Sequence, residues 1–437
     1  MNIRKINIIW IVIIFIALAL TLYFITKTAT CSQKYNNSYK DKTSTGKDTI
    51  QDTTRDYLIN PILITTDPEK EWYELHFDAV LIDAHNDLLY KVRHENCDFY
   101  SKDSKTQTGI QRLEEGGIDI QFLALYIPPK HFNRSKAYVL EQIDLLNNLE
   151  KKYQNSIEVA FNYSDIKRIT QAGKIAIMMG IEGGTAIEDN LDNIDLFFEK
   201  GVRYIGLTWN NSNKIGVSAK DEANGKKGGL TKFGKEVVRR MNKVGMLIDV
   251  SHLGEQSFWD VIETTQDPII ASHSNCYTLC QHYRNLTDKQ IKAVANKNGI
   301  IMINFLDWFI VSDAAKDSKN ANEIYKKEIT EIYNSYKNDK IKYYEELAKF
   351  LEEATPANEV SIDDLIDHID YIKQLVGIDY IGIGTDFDGG INPPFDLYDA
   401  TCFPLLTKKL AERGYTETEI RKILGLNFLR VFKEVCG

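Results

Sequence analysis

Eight short apolar runs, dominated by Ile, Val, Leu and Met, recur from residue 79 onward, and segments of helical pattern separate them. They fall at Ala79–Ala84, Ile118–Leu125, Ile175–Ile181, Tyr204–Thr208, Met246–Val250, Pro268–Ala271, Gly299–Phe305 and Tyr380–Gly384. β-Branched runs of this length, too short for helices, predict buried parallel strands. The stretches between them, such as Ala137–Tyr153, Asn193–Lys200, Thr231–Val244 and Asp288–Lys297, predict helices. Eight alternating units make a closed (β/α)8 barrel of the TIM type, in the α/β class. An open doubly wound sheet is the competitor, but it would collect polar residues at one switch point.

The polar residues are not collected at one point. Five runs end on groups able to bind or activate a metal: LIDAHND (His85, Asp87), MMGIEGG (Glu182), LIDVSH (His252), IIASHS (His273) and YIGIGTDFDG (Asp386). In a barrel of this kind the C-terminal strand ends line the active site. Three of the eight histidines stand at such ends.

Singly, these motifs are weak. An HxD pair more often marks a hydrogen-bonded buried histidine beside a surface aspartate, and Glu182 before two glycines reads better, taken alone, as the start of a helix. Together they converge. His85 and Asp87, two apart on an extended chain, face one side and can share an ion. Glu182 can bridge two cations, and His252 with His273 supplies imidazoles suited to zinc. Asp386 can take a proton from an activated water, whereas Asp388, two residues on, fits a turn better. The set implies metal-dependent hydrolysis.

Composition bounds the rest. The chain has 437 residues, 43% hydrophobic and 26% charged, enough to bury a full core. A net charge of −9, with no interleaved basic and aromatic stripe, excludes a nucleic-acid surface. Arg4 and Lys5 precede an uncharged apolar stretch, Ile8–Ile25, long enough to span a bilayer. Residues 1–27 therefore read as a signal anchor or signal peptide, 28–67 as a polar linker, and 68–437 as the barrel. Such a chain is exported, with the barrel outside the cytoplasm, periplasmic or extracellular. Cys31 is a poor match to a lipidation site. Cys97, Cys276, Cys280, Cys402 and Cys436 lack CxxC spacing and read as buried thiols or bridges. The charged segment 307–370, between the seventh and eighth runs, predicts a helical insertion with a solvated face; a lid or a dimer contact is its alternative role.

The order DAHND, IEGG, LTWN, DVSH, ASHS, HYRN and GTDFDG resembles the membrane (renal) dipeptidase family of zinc peptidases, within the amidohydrolase-like barrels, over residues 75–437. The resemblance implies two zinc ions per chain. His85 and Asp87 would hold one, His252 and His273 the other, and Glu182 would bridge both. Asp386, acting with the bridging Glu182, would be the acid/base, and Arg284 in HYRN would receive the substrate's free carboxylate. Dipeptides are the implied substrates, with tolerance of a D-residue at the second position, and a homodimer is the implied assembly. One departure stands out: many mammalian members carry a histidine after the fourth strand that polarises the scissile carbonyl, and this chain has Trp209 there. Either Asn210 donates in its place or the zinc ions suffice alone. Another metal-dependent amidohydrolase activity, on a lactone or ester, and a non-catalytic binding domain are the alternatives.

Overall fold

The computed structural model describes residues 68–437 apart from Ser104, Asp313 and residues 315–320 and 357–358. The apolar run Ile8–Ile25, Cys31 and the polar linker lie outside the described residues. Among the described residues no helix is long and apolar enough to cross a membrane.

Nine parallel strands form one sheet: β1 (Ile82–Asp83), β2 (Ile120–Tyr126), β3 (Ile157–Val159), β4 (Ile175–Glu182), β5 (Val202–Gly206), β6 (Leu247–Asp249), β7 (Ile269–Ala271), β8 (Ile300–Ile303) and β9 (Ile381–Ile383). All eight expected runs contribute a strand, and their spatial order, β1-β2-β4-β5-β6-β7-β8-β9, is their sequence order. The ninth strand corrects the count. β3 pairs only with β4, placing Ile157 opposite Ile175, and stands off the barrel path. Its three residues, Ile-Glu-Val, are too short to register as a period in the sequence.

The barrel closes where β1 meets β9. Ala84 N donates to Ile383 O at 3.0 Å, Asp386 N to His85 O at 3.0 Å and Asp87 N to Phe387 O at 2.9 Å. Asp83 reinforces the seam from inside: its carboxylate accepts from Gln121 Nε2 (2.8 Å), Thr385 N (2.8 Å) and Thr385 Oγ1 (2.9 Å). Burial pushes the Asp83 carboxyl up to about 7 even against these donors.

Strand β4 shows why continuous apolar runs suit such a sheet. All eight of its residues are buried, one face against the barrel interior and the other against helices. The outer helices carry conventional stops and starts. Helix Lys232–Val244 is capped by Thr231, whose side chain accepts from Gly234 N, and ends on Gly245 at φ 76°. Thr287 begins helix Asp288–Asn296 with a capping box completed by Gln290.

The expected insertion is helical, with helices at Lys326–Tyr336, Lys340–Ala354 and Ile362–Val376. Its charged side faces solvent, but it also carries core. Helix Lys340–Ala354 buries Tyr343, Tyr344, Leu347 and Leu351, a single stripe, and Tyr344 OH donates to Thr401 O at 3.2 Å. All five cysteines of the described region are free thiols, four of them buried.

Inside the barrel, Gly180 makes room for an aromatic ring. A Cβ at that position would lie 1.9 Å from Tyr204 Cζ. Replacing Gly180 with Ala is expected to lower unfolding free energy by about 1–3 kcal/mol through overpacking, measured by chemical denaturation.

Candidate metal centre

Five strand ends deliver one or two polar side chains each to the same mouth. His85 and Asp87 follow β1, Glu182 ends β4, His252 and His273 follow β6 and β7, and Asp386 follows β9. The structure gathers all six. Glu182 Oε1 is 3.0 Å from His252 Nε2, 3.8 Å from His273 Nε2 and 3.8 Å from His85 Nε2. His85 Nε2 is also 3.7 Å from Asp87 Oδ2 and 3.9 Å from Asp386 Oδ1.

The hydrogen bonds behind the imidazoles decide which nitrogen carries the proton. Ser272 Oγ spends its hydrogen on Asp249 Oδ2 at 2.7 Å, so at 2.7 Å from His273 Nδ1 it accepts. Tyr204 OH donates toward Ala84 O and therefore accepts from His85 Nδ1 at 2.9 Å. Both rings thus turn a bare Nε2 lone pair into the cluster. His85 Nε2 is buried with no hydrogen-bond partner among the described residues. His252 Nε2 and His273 Nε2 face each other at 3.0 Å, and neither can serve as an ordinary donor to the other if both protons lie on Nδ1. Buried lone pairs and carboxylates aimed at a common space are what a cation requires. Two groups, His85 with Glu182 and His273, and His85 with Asp87 and Asp386, each place one ligand atom per residue within 4.8 Å of one another.

Charge follows burial. Desolvation, with the Arg284 charge adding to it, drives the His85 imidazole down to about 3, and His252 and His273 are lowered well below the usual range by the same burial. All three are neutral at pH 7 and ready to ligate. Glu182 and Asp87 are raised well above the carboxylate range, by burial first and by repulsion among the carboxylates second. Asp386 is pushed up to about 6 by burial, with the Asn304 hydrogen bond and Arg284 pulling the other way. Asn304 Nδ2 donates to Asp386 Oδ2 at 2.9 Å. Asp386 sits at φ 65°, a left-handed backbone that Asp tolerates better than most residues.

Arg284 is buried beside the cluster. Its guanidinium donates to His273 O at 3.3 Å and packs over Phe309, and it makes no ion pair among the described residues. Trp209 and Asn210 follow β5. The Trp209 ring stands 6.5 Å from His252, centroid to centroid, whereas Asn210 is held through its carbonyl, which accepts from Ser218 Oγ at 3.0 Å. Among the described residues, no hydrogen bond joins the Asn210 amide to the cluster. Asp388, expected to serve a turn, ties its segment to the loop before the helix Ile110–Glu115, accepting from Gln107 N at 2.7 Å and from Thr108 Oγ1.

Sequence reasoning missed the supporting residues. Asp249 accepts from Ser251 Oγ (2.7 Å), Ser272 N (2.9 Å) and Ser272 Oγ, tying the ends of β6 and β7 together. Its signal was present: an aspartate inside the apolar run LIDV must be satisfied by something buried. Tyr204 gave no such signal.

A parallel barrel whose mouth collects buried imidazole lone pairs and carboxylates defines a metal-dependent hydrolase. The model of the membrane dipeptidase family, peptidase family M19, matches residues 69–436, and the chain belongs to that family. It is therefore a metallo-dipeptidase. It is 28% identical over 369 residues to Dipeptidase tcpJ of Claviceps purpurea (strain 20.1), covering 81% of this chain and 76% of that one. Among solved structures, the metallo peptidase from Rhodobacter sphaeroides, liganded with a phosphinate mimic of the dipeptide L-Ala-D-Ala, is similar at TM-score 0.68 and 22% identity, covering 82% and 100% of the two chains. The probable dipeptidase PvdM from Pseudomonas aeruginosa is similar at TM-score 0.69 and 23% identity, covering 84% and 98%.

Two outcomes follow from this geometry. Asp249→Ala is expected to weaken metal affinity about 10–100-fold, read by competition with a chromogenic chelator. Because Glu182 and Asp87 hold protons above the usual carboxylate range, a cation must displace them. Metal added to the stripped protein at pH 7 should release protons, and its affinity should climb with pH. Titration in weakly buffered solution with a pH indicator measures both.

Proposed function

We propose that this chain is a binuclear zinc dipeptidase that cleaves the peptide bond of free dipeptides and tolerates a D-residue at the C-terminal position. The observation that carries the reading is Glu182 Oε1 lying within 3.0–3.8 Å of three imidazole nitrogens from three different strand ends. Such a carboxylate is positioned to serve two ions at once. His85 and Asp87 would hold one, His252 and His273 the other, and imidazole with carboxylate suits zinc. When bound, the ions supply Lewis acidity toward the scissile carbonyl and make a nearby water more acidic.

The remaining steps belong to the chain. Asn304 fixes one oxygen of Asp386 and leaves the other toward the cluster, so Asp386 accepts the proton of the attacking water and returns it to the leaving amine. A carboxyl held up at about 6 can do both. Arg284, buried and without a carboxylate partner among the described residues, receives the free C-terminal carboxylate in a bidentate fork. That anchor favours a dipeptide over a lactone or simple ester, which would leave it unpaired. Asn210 stands in for the missing histidine as a donor to the developing oxyanion. The phosphinate ligand of the Rhodobacter sphaeroides neighbour, a mimic of L-Ala-D-Ala, supports tolerance of a D-residue. In this reading the N-terminal apolar run anchors the barrel outside the cytoplasm, and the enzyme works as a homodimer.

The test is elemental analysis of the purified chain together with L-Ala-D-Ala hydrolysis before and after chelation. About two zinc ions per chain with chelator-sensitive cleavage is the expected result; full metal content without cleavage would sink it. Asp386→Asn should retain metal and lose about 10²–10⁴-fold in kcat. Arg284→Leu should raise KM about tenfold or more for free dipeptides.

A further inference from the structure

We infer that Tyr126 and Trp209 form the pocket for the side chain of the dipeptide's first residue, and that this pocket selects large apolar or aromatic side chains. The inference rests on the dipeptidase reading above and specifies its substrate.

Both rings stand at the metal cluster. Tyr126 is the last residue of β2 and pairs in register with Glu182, while Trp209 neighbours His252. Their ring centroids are 4.9 Å apart with planes inclined at 57°. Tyr90, from the helix Leu88–His94 that follows β1, continues the wall, 5.6 Å from Tyr126 in an edge-on arrangement. The backbone makes room for this wall: Gly183 sits at φ 92°, and a Cβ there would lie 3.2 Å from Trp209 Cβ.

The rings are not filler for the core. Tyr126, Trp209 and Tyr90 are each half-buried, unlike the aromatic residues packed inside the barrel. Among the described residues, neither the Tyr126 hydroxyl nor the Trp209 indole N–H has a hydrogen-bond partner. Half-exposed rings with idle polar atoms, at the edge of a reaction centre, present an apolar face to a ligand.

Topology fixes which end of the substrate they meet. Arg284 lies in the loop after β7 and bonds to the backbone of His273. In the closed order, β2 and β7 are four strands apart in either direction, so Tyr126 and Arg284 come from opposite sides of the mouth. A dipeptide whose carboxylate rests on Arg284 and whose peptide bond lies at the cluster extends its first residue toward the Tyr126 side. Trp209 thereby contributes bulk and a π face where a smaller polar residue would leave the pocket open.

The experiment measures kcat/KM for two dipeptides with the same second residue, one beginning with Phe and one with Gly, in the metal-loaded enzyme and in Trp209→Ala. The wild type should prefer the Phe substrate, and Trp209→Ala should shrink that ratio about tenfold. Trp209→Phe, which keeps a ring, should restore most of it. A ratio unchanged in Trp209→Ala, or a wild type indifferent to the first residue, overturns the inference while leaving the dipeptidase reading intact. Failure of the wild type to cleave either dipeptide removes both. Should Trp209→Ala not fold, Tyr126→Leu supplies the same comparison, with the same outcomes deciding it.

Discussion

Everything at the mouth of this barrel depends on the seam between β1 and β9. Three backbone hydrogen bonds join His85 and its neighbours to the segment carrying Asp386, and Asp83 fastens the same joint with its buried carboxylate. Without that joint the first and last strands would be sheet edges, and the carboxylate of Asp386 would have no fixed relation to His85 and Asp87. The seam is thus both the last step of closure and the support of the reaction centre. A single buried carboxylate, costly in isolation, is retained because Gln121, Thr385 and the His85 backbone N–H converge on it.

A second tier of buried polar residues repeats this logic around the ring. Asp249 binds the ends of β6 and β7 through Ser251 and Ser272, and Tyr204 orients His85 from across the interior. Their effect is to fix tautomers. An imidazole whose Nδ1 hydrogen is already committed has only its Nε2 lone pair to offer. The cluster is therefore prepared by residues that stand behind it.

The eight barrel strands and the six residues of the centre were legible in the sequence because both obey local rules. Apolar runs such as IAIMMGI announce buried parallel strands, and a His or acid at the end of each run announces the mouth. What escaped was nonlocal. Nothing in Val202–Gly206 says that the Tyr204 ring crosses the barrel over Gly180 to reach a histidine 119 residues away. Strand β3 escaped for a different reason, being three residues that pair with one neighbour alone. The insertion was read correctly as helical with one solvated face, but its charge hid the stripe of Tyr343, Tyr344, Leu347 and Leu351 that packs inward.

The distance in sequence across the seam also sets an order of events. Thr385 meets Asp83 across 302 residues, and the side chains of the centre are drawn from His85 through Asp386. A chain emerging from the ribosome can complete β2, β4 and β5 early, yet Asp386 and the seam that fixes His85 and Asp87 are in place only when the final strand has been synthesised and has docked beside the first. Loop closure over such a span is slow compared with local pairing. Completion of the reaction centre is therefore a terminal event of folding, and a half-folded molecule lacks the fixed relation between Asp386 and the His85 side of the mouth.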